Sequence, residues 1–398
     1  MRQAALITAA APSFPVARAA LSGLLAMFVG IGIARFSFAP LVPALAQAHW
    51  YSAADAFWFA TANLAGYFIG VAVARAWRRS YPAKPAMVLS MGVTATATLC
   101  CALNWGWVWF ALWRLVSGVT GGIIMVLMAS SVVGRVPAAV RGRVSGFAFS
   151  GMGAGTAFSA LLMPHLLLRG LAFTWSALGI LCAVATLAVA LIMPDSRVEP
   201  APRHVANGLP PRAVVVLIAA YALAALGFMP HMLFWSSFVA LGLGRGVAAG
   251  AMMAAWVGVA AMLGPPVLGR VADRFGFLPA LGSGFLVMGF AVAIPLFTHA
   301  AAALVLSAIC VGAVALGTVM LVAGAIAGMV PSARLAADWG LAAMVYSVTQ
   351  AIAAALLSHL FRVTGSYGLL FSIGALAMAG GFLLILLTAR MARGMRTS

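Results

Sequence analysis

Twelve long apolar stretches follow one another along the chain, and most of them are separated by only a few residues. About 20 consecutive apolar residues are long enough to cross the hydrocarbon layer of a membrane as an α-helix. With 65% of its residues apolar and 7% charged, the chain lacks the polar residues that a soluble protein of 398 residues needs to cover its surface. The pattern therefore predicts an all-α integral membrane protein. Its membrane-spanning helices are predicted at residues 19–47, 53–75, 85–104, 107–134, 141–168, 171–193, 213–241, 247–270, 277–298, 301–330, 335–361 and 366–389.

One polar segment interrupts this succession near the middle of the chain. Residues 194–212 are rich in proline and charge, and they predict a cytoplasmic linker between an N-terminal half, residues 1–193, and a C-terminal half, residues 213–398. The halves resemble copies of one unit. Residues 136–166 align without gaps to residues 330–360, with ten of 31 positions identical and an offset of 194. A duplicated bundle of six helices is typical of secondary transporters, whose sites lie between the two repeats near the middle of the membrane.

The basic residues between the apolar stretches are unequally divided. If the N-terminus lies inside, the segments on the inner side hold 18 of the 23 lysines and arginines, whereas those on the outer side hold only Arg169, Arg245 and Arg362. The positive-inside rule then places both termini in the cytoplasm, with the chain crossing a bacterial cytoplasmic (inner) membrane many times. Since these basic residues occur singly and form no stripe, the net charge of +18 does not indicate nucleic-acid binding.

Several short motifs resemble those of the major facilitator superfamily. Residues 268–276, LGRVADRFG, are similar to its cytoplasmic-loop signature, and residues 113–122, WRLVSGVTGG, to the motif of its fourth helix. The segments GIGIARFSFAPLVPAL, ANLAGYFIG and GFMPHMLFW resemble the YbfB/YjiJ-like branch. The resemblance implies twelve transmembrane helices in two pseudo-symmetric six-helix bundles, and transport by alternating access. The loop at residues 70–80 departs from the superfamily pattern because arginines replace its aspartate, and the fifth helix lacks the proline of the antiporter motif.

Arg35 lies near the centre of the first predicted helix, where a charge costs at least about 2.5 kcal/mol. One interpretation is a cation in the wall of a central cavity, which binds an anionic or carboxylate-bearing solute or repels cations. The other is a structural arginine that bonds to Asn63 of the second helix and to backbone carbonyls freed by Pro40 and Pro43. Intramembrane ionisable residues are functional by default, so we favour the first interpretation. A guanidinium with five donors can serve both roles.

Four further polar residues inside predicted spans are candidates for solute binding or coupling: Asn63, Arg114, His231 and Gln350. Arg114 could complete a two-arginine site or, as the superfamily motif implies, take part in proton coupling; it could instead stack on an aromatic side chain at the outer interface. His231 could carry a coupling proton because histidine titrates near neutrality, or it could bond to a neighbouring carbonyl. Gln350 is favoured as a site residue because it lies in the middle of helix 11. For a single amide such as Asn63, bonding between helices is the commoner role.

The superfamily resemblance also implies a cytoplasmic latch, in which the loop after helix 8 meets helix 5 and the loop after helix 2 meets helix 11. In the first contact, Asp273 is expected to face the positive N-terminal end of helix 5. For the second contact we predict a swapped polarity, with arginines on the loop and Asp338 on the helix; alternatively, Asp338 only caps helix 11. The residues assigned to this latch are Arg75, Arg78, Arg79, Arg141, Arg143, Asp273, Arg274 and Asp338.

The function predicted from the sequence is secondary active transport of a small anionic or carboxylate-bearing solute, coupled to protons and carried out by a monomer in the lipid bilayer. The alternatives are an exporter of a neutral or amphipathic compound, of the drug-efflux type, and a membrane sensor that transports nothing. None of the five acidic residues lies at mid-membrane, which argues against a standard antiporter of cationic drugs. The six histidines and five acids are scattered, so we expect no enzyme, no cofactor and no metal site.

Overall fold

The computed structural model describes residues 15–76, 80–132, 135–198 and 210–397. Twelve long helices run through these ranges. They are α1 Val16–Gln47, α2 Ala53–Ala76, α3 Ala83–Cys100, α4 Trp107–Val132, α5 Ala138–Leu167, α6 Leu171–Ile192, α7 Arg212–Gly242, α8 Gly246–Phe275, α9 Phe277–Phe297, α10 Ala301–Ala327, α11 Ser332–Thr364 and α12 Tyr367–Thr397. The chain is thus an all-α protein with the predicted number of helices in the predicted order.

Eleven of these helices are long and apolar enough to cross a membrane. The remaining one, α3, has 18 residues, begins next to Lys84 and Pro85, and packs between α4 and α6. Most helix ends lie within a few residues of the predicted ones. The largest departure is α12, which continues to Thr397 instead of ending at residue 389. The added turns contain arginine, methionine and alanine, which favour helix even where the apolar pattern has ended.

The first helix contains a π-helical segment, Phe28–Phe36. At its end the Ser37 amide donates to the carbonyl of Gly32, five residues earlier, at 3.1 Å. Pro40 and Pro43 follow in the next turns, and neither has an N–H group with which to continue the regular ladder. A π turn changes the direction in which the following side chains point, and such turns are frequent at functional sites.

The seventh helix, which opens the second half of the sequence repeat, contains two π-helical segments, Pro230–Phe234 and Phe238–Gly242. Arg35 of α1 and His231 of α7 both lie within such a segment. The two intramembrane ionisable candidates on these helices are therefore presented by irregular turns, which a pattern with a period of 3.6 residues does not predict.

Glycines allow α2 to approach α4, and α8 to approach α10, at backbone contact. A Cβ atom built on Gly70 would lie 2.0 Å from the carbonyl oxygen of Val119, and one built on Gly264 would lie 1.9 Å from that of Ala313. Only glycine fits so close to a neighbouring backbone. Gly264 follows Gly70 by 194 positions and Ala313 follows Val119 by 194 positions, so one contact occurs twice.

A second pair of close contacts keeps the same offset. A Cβ atom on Gly118 would lie 2.0 Å from the carbonyl oxygen of Asn63, and one on Gly312 would lie 2.3 Å from that of Val257. Gly312 follows Gly118 by 194 positions, and Val257 follows Asn63 by 194 positions. The internal repeat therefore extends beyond the aligned segments of α5 and α11 to the packing of α2 on α4 and of α8 on α10.

Two short strands tie the chain after α6 to the chain before α3. Strand β1, Tyr81–Pro82, pairs in antiparallel register with strand β2, Arg197–Val198. Beside them the Ala83 amide donates to the carbonyl of Ser196 at 2.8 Å, and Lys84 forms an ion pair of 3.9 Å with Asp195. The first residues of the predicted linker are thus held against the N-terminal half, while residues 199–209 lie outside the described residues.

Candidate solute-binding cavity

A large cavity of about 1180 Å³ lies between the helices of the two repeats. Its mouth is formed by the N-terminal turns of α5 and the C-terminal turns of α8, where Arg143, Arg270 and Asp273 line it. Its deep end is formed by α1, α2 and α11, which contribute Arg35, Tyr67 and Gln350. Because the first turns of α1 and α5 lie on the same face, the cavity opens towards the face that the arginine distribution predicts to be cytoplasmic.

The opposite end of the cavity is closed by α2, α7 and α11. The Phe57 ring lies 4.2 Å from the Phe234 ring and 4.9 Å from the Phe361 ring, measured between centroids. The hydroxyl groups of Thr61 and Ser358 are 3.2 Å apart in the same region. This layer joins α2 to α11 and separates the cavity from the other face, so the cavity formed by the described residues opens towards one side.

Arg35 lies at the deep end and its side chain points across the cavity to α11. Its Nη2 donates to the amide oxygen of Gln350 at 2.6 Å and approaches the sulfur of Met232 at 3.8 Å. Its guanidinium lies 5.0 Å from the centre of the Tyr67 ring, and its buried Nε has no hydrogen-bond partner. The cation is thus incompletely satisfied and is available to a further acceptor.

Aromatic side chains extend the wall beside Arg35. Gln350 Nε2 donates to the hydroxyl of Tyr346 at 3.3 Å, and the Tyr346 ring stacks on Tyr221 of α7 with centroids 4.2 Å apart. The Trp339 ring lies next in the row, 6.3 Å from Tyr221. Tyr67, Trp339 and Tyr346 line the cavity but were not among the residues predicted to bind the solute. The available signal was the spacing of four residues that puts Tyr346 and Gln350 on one helix face.

Arg114 is not among the residues that line the cavity. It is buried between α1 and α4, where its Nη1 donates to the carbonyl of Ala34 at 2.7 Å and its guanidinium covers the Phe38 ring at 4.2 Å. Asn63 is also turned away from Arg35: its amide donates to the carbonyl of Arg114 at 3.1 Å and to the hydroxyl of Ser117 at 2.9 Å. The alternative interpretation, in which Arg35 bonds to Asn63, does not describe this arrangement, because Asn63 faces α4.

His231 lies outside the large cavity, in a separate small cavity of about 20 Å³. Its Nε2 is 2.7 Å from the hydroxyl of Ser307, which itself donates to the carbonyl of Ala291 at 2.6 Å. Since the serine proton is used, Nε2 must carry the imidazole proton, and Nδ1, which has no partner, is the bare nitrogen. The ring stacks on Trp235 at 4.3 Å. Phe36 lines both this cavity and the large one.

Three of the predicted latch residues, Arg143, Asp273 and Arg274, are described at the mouth. Asp273 and Arg274 are exposed in the last turn of α8, and within the described ranges Asp273 makes no ion pair. Asp338 is buried and forms an ion pair of 3.3 Å with Arg334, one turn earlier on α11. Arg78 and Arg79 lie outside the described residues, and the side chains of Arg75 and Arg141 are not described either. The swapped contact between the loop and α11 therefore stays a prediction.

The described part of the chain contains no group of three His, Cys, Asp or Glu side chains that could hold a metal ion. Its buried polar groups are instead amides, hydroxyls, Arg114 and His231, with Asp338 close to the mouth, and Arg35 is half-buried. These side chains can bind and release a solute by hydrogen bonds and charge.

The helix order, the repeat and the central cavity define a transporter of the major facilitator fold. The structure aligns with that of the nucleoside transporter NupG with a TM-score of 0.70, covering 94% of this chain and 99% of NupG at 11% identity. It aligns with a bacterial homologue of the human lysosomal transporter Spinster, solved in an inward-facing and occupied conformation, with a TM-score of 0.63 and 17% identity over 96% of this chain and 97% of the other.

The family follows from the sequence. Residues 27–386 match the family described as the uncharacterised MFS-type transporter YbfB, so the chain belongs to this family of the major facilitator superfamily. No curated protein sequence matches the chain. The family match makes the chain a multi-pass membrane transporter, and the solved structures share its fold.

Proposed function

We propose that this protein is a secondary active transporter that carries a small carboxylate-bearing solute by alternating access, and that Arg35 binds the carboxylate. The observation that carries the proposal is the charge of the cavity wall. Among the described lining residues, Arg35 is the cation at the deep end, and the one acid, Asp273, lies at the mouth. A guanidinium can hold both oxygens of a carboxylate with two parallel hydrogen bonds, which fixes the orientation of the bound group.

The rest of the wall favours a solute with an apolar or aromatic part. Phe36, Tyr67, Phe228, Trp339 and Tyr346 all line the cavity, which is mostly apolar apart from its arginines. Aromatic side chains bind flat apolar groups through burial and stacking. An amphipathic monocarboxylate therefore fits the combination of one deep cation and an aromatic wall better than a small inorganic anion does.

A neutral solute is the competing class. NupG is a nucleoside transporter, but its likeness to this chain is one of fold. The observation that favours a neutral aromatic solute is the aromatic wall of the cavity together with the Gln350 amide. A membrane sensor would bind a solute without moving it. Uptake measurements with both classes of solute separate these possibilities.

Replacing Arg35 by glutamine should lower uptake of the carried anion at least about 100-fold in kcat/KM, because a buried charged hydrogen bond is lost. Arg35→Lys should lose less, about tenfold, since it keeps the charge but not the two-pronged geometry. The measurement is uptake into proteoliposomes of labelled aromatic and aliphatic carboxylates, nucleosides and quaternary amines. The matched control is Arg169→Gln, which removes the same charge from an exposed loop. Full anion uptake by Arg35→Gln would exclude the proposed site.

Proton coupling, with His231 as the candidate, has weaker support. His231 lies outside the large cavity, its proton is engaged by Ser307, and aromatic rings surround it. We expect His231→Gln to retain uptake within about threefold, because the glutamine amide can replace the N–H donor to Ser307. Uptake with and without a pH gradient provides the measurement. If the variant lost a gradient response that the parent shows, His231 would be the proton carrier.

A further inference from the structure

The charge of Arg35 has no counter-anion in the described structure. Asp195 pairs with Lys84 and Asp338 with Arg334, while Asp55 bonds to Ser52 at the start of α2. Asp273 is exposed at the mouth. Among the described residues, the deep end of the cavity therefore holds a positive charge whose neighbours are all neutral side chains.

The closest polar partner of Arg35 is neutral. The Gln350 oxygen accepts one hydrogen bond from Nη2 at 2.6 Å, and the buried Nε of Arg35 remains without a partner. An amide oxygen can hold the guanidinium in place but cannot neutralise it. A carboxylate can do both, and its hydrogen bonds to a guanidinium are about twice as strong as neutral ones.

We infer that the cavity closes only when a bound anion neutralises Arg35. The protein then works as an obligatory exchanger of carboxylate solutes. Between one solute and the next, Gln350 is the neutral hydrogen-bond partner of Arg35. The inference rests on the proposed function and adds its mode of coupling. In the open state, water reaching the cavity solvates the guanidinium. When the mouth closes without a solute, that water is lost and an unpaired charge is buried, which strongly destabilises the closed state.

Exchange follows from this asymmetry. A carrier that has released its solute on one side cannot close while empty, and must wait for another anion before it returns. A neutral solute would replace the Gln350 bond by an equivalent one and leave the charge uncompensated. The same arginine thus selects anions and couples the movement of one to the movement of another.

Closure can be measured without a solute by placing spin labels on the two sides of the mouth. Gly146 of α5 and Gly269 of α8 both line it. A Cβ on Gly146 would meet no heavy atom within 4 Å, and one on Gly269 would meet only the end of Met320 at 3.6 Å, so both positions accept a label. The four native cysteines are first replaced by alanine, and pulsed electron paramagnetic resonance then gives the distance between the labels in the full chain in lipid nanodiscs.

Without a solute, the parent protein should show mainly the long distance of the open mouth. Arg35→Gln removes the charge and Gln350→Glu supplies a permanent counter-anion, so each should raise the ratio of closed to open molecules at least about tenfold. Combining the two leaves an unpaired carboxylate at the same place, and the double variant should return to the open distribution. Arg35→Lys and Gln350→Leu keep the unneutralised cation and should stay open.

If the two substitutions acted through packing alone, their effects on the ratio of closed to open molecules would add. The double variant would then differ most from the parent. The inference is overturned if the empty parent is mainly closed, if neither neutralising variant shortens the distance, or if the double variant stays closed. Circular dichroism and a single elution peak establish that each variant is folded. If one variant is not folded, Gln350→Leu, which should remain open, distinguishes an effect of charge from an effect of packing.

A transport measurement completes the test. Proteoliposomes preloaded with the unlabelled form of the anion identified in the uptake panel should take up the labelled form at least about tenfold faster than empty ones. Equal rates would overturn exchange. If Arg35→Gln retains full anion uptake, the proposed function itself fails; if uptake is lost but no neutralising variant closes the mouth, only the present inference fails.

Discussion

Replacing Gly264 by alanine should largely prevent the protein from accumulating in folded form. The new Cβ atom would lie 1.9 Å from the carbonyl oxygen of Ala313, and a backbone atom in the middle of a packed helix cannot move aside as the end of a side chain can. α8 and α10 would have to separate along much of their contact. We expect a loss of at least about 3 kcal/mol, a large part of the free energy of unfolding of most proteins.

The internal repeat predicts the same result for Gly70→Ala, where the Cβ would lie 2.0 Å from the Val119 carbonyl oxygen. The measurement is the yield of monodisperse protein from detergent extracts and its thermal midpoint. Gly92→Ala in α3 is the matched control, because its Cβ would meet no heavy atom within 4 Å. The control should be neutral or slightly stabilising, since alanine favours helix more than glycine does. Purification of Gly264→Ala with an unchanged midpoint would show that the two backbones are not in contact.

Much of this fold could be predicted because the length of an apolar stretch is a strong signal for a membrane-spanning helix. Eleven of the twelve helices satisfy a simple criterion of length and hydropathy, and even the weaker α3 is bounded by proline and short turns. The repeat was detectable at an offset of 194 in α5 and α11. Searching the same offset for glycines would have found Gly70 with Gly264 and Gly118 with Gly312, and with them the two close helix pairs.

The sequence identified single residues of the candidate site, but it could not predict which of them contact each other. Arg35 and Gln350 each stand out as polar groups in apolar helices, yet they are 315 positions apart, and their hydrogen bond depends on how α1 and α11 are rotated. The rotation of α1 depends on its π segment, which apolar periodicity does not reveal. For the same reason, the sequence did not show that Asn63, one of the possible partners of Arg35, bonds to α4 instead.

Arg114 lies outside the cavity but is bonded to the backbone next to Arg35. Its guanidinium donates to the carbonyl of Ala34, the residue immediately before Arg35, within the π segment of α1. A π turn holds one more residue than an α turn, and one residue corresponds to a rotation of roughly 100° about the helix axis. If the Ala34 carbonyl is released and the segment relaxes to regular helix, the Arg35 side chain turns away from Gln350 and from the cavity.

We therefore expect Arg114→Met to remain folded and yet to lose transport. Methionine has a similar length and buries no charge, and replacing a buried charge that lacks a counter-ion by an apolar side chain is often neutral or stabilising. The thermal midpoint should stay the same or rise. The KM for the carried anion should increase at least about tenfold, because the cation that binds it is misplaced by more than 1 Å. Arg114→Lys keeps one donor for the Ala34 carbonyl and should recover part of the affinity. A purely structural role for Arg114 predicts the opposite pattern, in which the midpoint falls together with the amount of active protein while the KM of the surviving molecules is unchanged.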